Sequence, residues 1–128
     1  MDHFCFQDGW GYISSSARAT HGFTSGKVYY EVKLLDNMDS KLEGEKNLHE
    51  LKLGWSTNDS LLQVGESDES YCYAGSAKKG HDSKFEEFGA TFAKDDVIGA
   101  FLDMAGAKVT MTFTKNGESQ GKKYSQRL

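Results

Sequence analysis

Alternation at every second residue governs this chain. Lys27 to Asp36 places Val28, Tyr30, Val32 and Leu34 on one side, with Tyr29, Glu31 and Lys33 on the other. Leu48 to Thr57 sets Leu51, Leu53 and Trp55 opposite Glu50 and Lys52. Lys108 to Thr114 alternates Val109, Met111 and Phe113 with Thr110, Thr112 and Thr114. A helix gathers every third or fourth residue onto one face. A period of two can hide its apolar set only as a strand. Threonine tolerates the wet face of such a strand. Asn116-Gly117 follows the third run at once and suits a type I′ hairpin, whose central residues need positive φ. The returning strand is expected over Gln120 to Ser125.

Other segments extend the pattern. Val97 to Met104 is nearly all apolar and predicts a central strand buried on both faces. It would turn through Ala105-Gly106-Ala107 into the Lys108 strand. Ser70 to Ala74 predicts a strand with Tyr71 and Tyr73 on one side. Asp36 to Asn47 is polar and predicts an exposed loop. No segment has a convincing helical stripe. There is no proline among the 128 residues, so glycine and Asx residues must make the turns. Short strands with turn signals between them imply an all-β, antiparallel β-sandwich in one domain spanning residues 1–128.

The net charge of −4 gives no sign of nucleic-acid binding, because phosphate backbones repel an acidic surface unless basic residues cluster. No apolar run reaches the length of a membrane span. Met1-Asp2-His3-Phe4 lacks a basic leader, so an intracellular setting is expected. There, Cys5 and Cys72 are expected as buried thiols rather than a disulfide.

Little in the chain carries chemistry. Gly22 to Val28 (GFTSGKV) mimics a phosphate loop but has three residues between its glycines, and Val28 follows the lysine. A tight turn before the Val28 strand is the better reading. His3, His21, His49 and His81 are scattered without zinc spacing. His21 is expected to satisfy backbone groups in its turn. Asp95-Asp96 and Glu86-Glu87 are adjacent, and adjacent side chains of a strand point apart. Asp95-Asp96 is expected to turn the chain into the Val97 strand. Trp10 and Trp55 are expected in the core. No enzyme, cofactor or metal site is expected.

Four segments in order carry a family resemblance: Arg18-Ala19-Thr20-His21-Gly22 with Gly26 to Val32; Leu53-Gly54-Trp55-Ser56-Thr57; Asp96 to Asp103; and Phe113-Thr114-Lys115-Asn116-Gly117. Together they resemble the SPRY (B30.2-like) family from about Gly9 to Gly121. Within it, Leu48 to Trp55, Ser70 to Lys79 and Phe85 to Gly99 resemble the heterogeneous nuclear ribonucleoprotein U, or scaffold-attachment, type. The resemblance implies a nuclear, RNA-associated protein and a sandwich whose end loops form a preformed peptide-binding face. The family pattern normally starts upstream and runs beyond Leu128, so a sandwich incomplete at both ends is expected. Apolar residues are usual where Gln120, Lys122 and Lys123 stand, so the last strand is expected to pack poorly.

The candidate contacts are Arg18, Lys52, Tyr71, Tyr73, Lys78 and Lys79. Lys78-Lys79 lies in the loop expected over Gly75 to Ser83, after the aromatic strand. Tyrosine supplies rigid contact area, and lysine steers an acidic protein or peptide partner. Lys52 stands where some relatives carry a partner-binding arginine, without that residue's bidentate fork. Arg18 suits either the binding face or a structural hydrogen-bonding role. Two alternatives stand beside this reading. One is direct RNA binding, with bases stacked by the tyrosines near Lys78 and Lys79. The other is a structural fragment without binding of its own. Neither a membrane nor a small-molecule substrate is expected.

Overall fold

The computed structural model describes residues 16–35 and 51–127, the last six of these by their backbone alone. Eight strands occur among them: β1 (Lys27–Lys33), β2 (Lys52–Ser56), β3 (Ser70–Ala74), β4 (Lys78–His81), β5 (Lys84–Glu87), β6 (Val97–Asp103), β7 (Lys108–Lys115) and β8 (Glu118–Arg127). They form two four-stranded sheets, ordered β1-β6-β7-β8 and β2-β3-β4-β5. Every pairing is antiparallel. The all-β sandwich expected from the alternation is therefore present.

The register shows why the alternation works. Tyr30 pairs with Ala100 and Ala100 with Phe113, while Val32 pairs with Ile98, so one inward face runs across three strands. Leu53 pairs with Tyr73 on the facing sheet. Leu34, Leu53, Tyr73, Phe88, Phe92, Ile98, Ala100 and Phe113 form the buried cluster between the layers. Leu51 and Trp55 pack on its edge, and Trp55 meets the Tyr30 ring edge-on at 5.0 Å. Val109 and Met111 are also buried, so the expected inward set of β7 holds.

Turns fall where glycine and Asx residues stand. Asn116 and Gly117 have φ of 50° and 86°, the pair of positive values a type I′ turn requires. Asp96 closes the turn into β6 as expected. Its Oδ2 accepts from the Ala93 N–H at 2.8 Å, and its Oδ1 accepts from the Asn116 side chain at 2.9 Å. Asn116 Oδ1 in turn accepts from the Val97 N–H at 2.8 Å. These hydrogen bonds hold the Asp96 carboxyl below its ordinary pKa, with Lys115 adding to the effect.

Two expectations need correction. β6 is central, but its second face is not buried throughout: Phe101 is 40% exposed on the outer side of its sheet. The segment expected as a loop, Gly75–Ser83, contains β4, and β5 follows it. β4 was concealed because Lys78-Lys79-Gly80-His81 has no apolar alternation. Glycine is needed there, since a Cβ on Gly80 would sit 2.3 Å from the Phe85 ring. The final strand, β8, pairs with β7 over Glu118–Arg127, longer at both ends than the Gln120–Ser125 expected, with a register shift between Met111 and Phe113; the packing expected to fail at Lys122 and Lys123 lies outside the described side chains. Gln120, at a position where an apolar residue is usual, accepts from the Ala90 N–H at 2.9 Å. Trp10, Cys5, His3, His49, Leu48 and the Asp36–Asn47 segment lie outside the described residues.

Candidate interaction surface

The segment 57–69 joins β2 to β3 and is cross-braced by polar contacts. Thr57 Oγ1 and Ser60 Oγ share a hydrogen bond at 2.8 Å. The Leu61 N–H donates to Ser67 Oγ at 3.0 Å, and the Gly65 N–H to Ser70 Oγ at 2.7 Å. The β4–β5 turn clamps the same segment. Asp82 N–H donates to the Ser67 carbonyl and Ser83 N–H to the Gly65 carbonyl, both at 3.0 Å. Ser83 Oγ contacts both the Glu66 carbonyl and its carboxylate. His81 Nε2 lies against the Asp68 carbonyl, which places the proton on that nitrogen.

This bracing holds two leucines outward. Leu61 and Leu62 are 61% and 47% exposed. Adjacent exposed leucines on a braced segment form a small apolar protrusion that solvent gains nothing by wetting. Underneath, the segment covers a second apolar layer. Gly65 lies so close to Cys72 that a Cβ there would be 2.7 Å from the sulfur, and Cys72 and Ala74 are fully buried. Cys72 is a thiol, as expected.

The six candidate contact residues do not form one site. Arg18 is structural. Its guanidinium donates to the carbonyls of Asn58 at 3.1 Å, Ser60 at 2.7 Å and Leu61 at 3.1 Å, so it pins the segment that carries the leucines. Tyr73 has no exposed surface, and its hydroxyl donates to the Ala90 carbonyl. It is a core residue and cannot touch a partner. Burial is also the main reason its pKa is raised. Tyr71 stacks on His81 with ring centroids 4.3 Å apart and planes 6° apart, half-buried at the edge of the layers. Its phenol is raised first by burial and then by Glu69 and Asp68.

The lysines divide between the two faces of their sheet. Lys52 pairs with Ala74 and Ala74 with Lys78, so these two share the outer face, with Glu87 beyond. The Lys52 ammonium lies 4.7 Å from the centre of the Phe85 ring, an ordinary cation–π distance. Lys79 projects to the opposite face, where it meets Glu86 at 3.4 Å and lies over Phe88 at 5.7 Å. The stacking patch of Tyr71, Tyr73, Lys78 and Lys79 is thus not assembled. His21 contacts Thr20 Oγ1 at 2.9 Å, rather than the backbone groups expected for it. Among the described residues no group of three His, Cys, Asp or Glu side chains is placed to hold a metal ion. Sequence reasoning missed Leu61 and Leu62. Their signal was an adjacent apolar pair inside an otherwise polar turn segment.

Two antiparallel sheets packed face to face, with a braced inter-strand segment at their edge, define a β-sandwich of the kind that displays its connections. Residues 27–127 match the SPRY domain, and the chain belongs to that family. It is 43% identical over 107 residues to heterogeneous nuclear ribonucleoprotein U-like protein 2 of Mus musculus, and equally so to that of Homo sapiens. Those matches cover 84% of this chain and 14% of each relative. It is 35% identical over 105 residues to the ATP-dependent RNA helicase Ddx1 of Drosophila melanogaster, covering 81% of this chain and 13% of that protein. The chain therefore spans about one seventh of the length of these relatives.

Proposed function

We infer that this domain is a non-catalytic protein-interaction module that docks short peptide segments on the 57–69 segment and the strand ends beside it. The observation that carries the reading is the Leu61–Leu62 pair, exposed on a segment fixed by Arg18, Ser60, Ser67 and Ser83. A surface ordered before binding loses little conformational entropy when a partner arrives. Lys52 and Lys78, aligned on the outer face of the neighbouring sheet, supply a second set of contacts that suits acidic side chains. The related names, a heterogeneous nuclear ribonucleoprotein and an RNA helicase, support a parent protein that works with RNA in the nucleus.

The test is selection of a displayed random-peptide library against the full chain, with binders measured against variants. Selected peptides should lose at least tenfold in affinity on Leu61→Ser/Leu62→Ser while the cooperative thermal melt is retained. Lys78→Glu should weaken only the acidic binders. Peptides that bind the double variant as well as the parent chain would remove this surface from consideration. A non-cooperative melt of the parent chain would favour a structural fragment instead.

A further inference from the structure

The outer face of the β1-β6-β7-β8 sheet is not used by that reading. Tyr29 and Phe101 are cross-strand partners there, 49% and 40% exposed. Their rings lie 4.3 Å apart with planes tilted by 31°. The absence of a side chain at Gly99 makes room for this pair: a Cβ there would lie 3.0 Å from the Tyr29 ring. The Tyr29 hydroxyl donates to Glu31 at 2.6 Å, which occupies that carboxylate, and Asp103 faces Lys27 at 4.0 Å. Beside the rings run the hydroxyls of Thr110, Thr112 and Thr114, and a shallow groove follows the rings and threonines.

Charge is segregated towards this sheet. Residues 108–127 contain Lys108, Lys115, Lys122, Lys123 and Arg127 against Glu118 alone, a net of +4 in a chain of net −4, with the Lys115 ammonium itself held by the Thr91 carbonyl at 2.7 Å and Asp96 at 4.0 Å. Residues 57–69 contain Asp59, Glu66, Asp68 and Glu69 and no cation. Lys108 and Arg127 pair in register at the end of the hairpin, and Lys33 lies at the opposite corner of the face on β1.

We propose that this face is a platform for single-stranded RNA. Bases stack on the Tyr29–Phe101 pair, the threonine row meets ribose hydroxyls, and Lys108 and Lys33 at the corners of the face meet phosphates. Every base has a π-face, so an exposed aromatic pair on a sheet accepts unpaired bases without regard to sequence. A duplex hides those faces. The size also fits. Four strands of about seven residues give roughly 400 Å² of flat surface, half of the ~800 Å² per partner that a stable protein interface takes. It is too small for a second copy of the chain and large enough for a few nucleotides.

The experiment measures fluorescence anisotropy of an end-labelled oligouridylate with the full 128-residue chain over a salt series. Binding should weaken steadily with salt. Tyr29→Thr and Phe101→Thr should each reduce affinity about tenfold or more, as loss of one stacked base does. Phe101→Trp, which keeps the stacking surface, should retain it. Lys108→Glu should weaken binding and flatten the salt dependence. Leu61→Ser/Leu62→Ser should leave RNA binding unchanged, so the peptide surface and this one fail separately. Absence of binding at low ionic strength overturns the proposal. So does binding indifferent to both aromatic variants in chains that melt cooperatively. Equal affinity for oligodeoxyuridylate would overturn the assignment to RNA.

Discussion

Arg18 donates to the Ser60 carbonyl at 2.7 Å across 42 positions of sequence. The pair ties the segment ahead of β1 to the segment after β2, and so fixes the place from which Leu61 and Leu62 project. Replacing Arg18 with alanine removes all three carbonyl bonds at once. Hydrogen bonds from a charged donor count for more than neutral ones, but these are partly solvated, so the expected loss is about 1 kcal/mol. The sharper effect is local. Amide exchange over residues 57–62 should accelerate while β7 keeps its protection. Arg18→Lys restores the charge without the planar fork and should recover little of it.

Tyr73 separates a contact from a core residue. Tyr73→Phe leaves the ring among Phe88, Phe92 and Phe113 and removes only the hydroxyl bond to Ala90. Denaturant unfolding should show a loss of about 1 kcal/mol. Tyr73→Ala empties a fully buried site and should cost about 3–5 kcal/mol. If Tyr73→Ala kept the parent stability and lost peptide binding alone, its assignment to the core would be wrong.

Gly54 lies flat against β3. A Cβ there would stand 1.9 Å from the Tyr71 carbonyl oxygen, an immovable backbone atom. Gly54→Ala therefore has to displace β2 from β3, and with it the Tyr30 hydroxyl bond to the Gly54 carbonyl at 2.8 Å. The Tyr30 phenol, pushed up to about 12 by burial, stays protonated throughout the accessible range and can keep donating. A loss of about 3 kcal/mol or more is expected in equilibrium unfolding.

Asp96 gives the chain an acid-sensitive turn. Its folded pKa lies below the ordinary value of 3.8, because the Ala93 N–H and the Asn116 amide favour the charged form. The unfolded chain therefore binds the proton first as pH falls. The stabilisation is complete above the ordinary value and is lost as pH drops through the depressed one. Asp96→Asn should lower the Tm at neutral pH, and the gap to the parent chain should close as the solution is acidified. A gap that widened towards acid pH would contradict the turn geometry.

Sequence periodicity carried the sheets further than it carried the surface. Val28, Tyr30 and Val32 announced their shared face because the residues between them are polar or tolerant of water. The same rule placed Tyr71 and Tyr73 together but did not say which way they point, since the residues between and after them, Cys72 and Ala74, are buried too. Both faces of β3 are covered, one by the facing sheet and one by the 57–69 segment, and such a strand has no wet side to read. β4 was hidden for the opposite reason: its side chains are polar, and Gly80 is needed only because Phe85 arrives from the next strand. Lys52, Lys78 and Lys79 were close in argument but divided in space, because one residue of offset along a strand reverses a side chain's direction. Arg18 had two roles open to it in sequence. Three carbonyl acceptors, each forty or more residues away, decided between them.

The closeness of Gly65 to the Cys72 sulfur makes the domain its own gauge. A reagent in solvent can alkylate that thiol only during the moments when the covering segment lifts, so site-resolved labelling would clock how often the leucine-bearing turn leaves its seat. A ligand that grips the turn should slow the clock, and one that grips the far sheet should leave it running at the same rate.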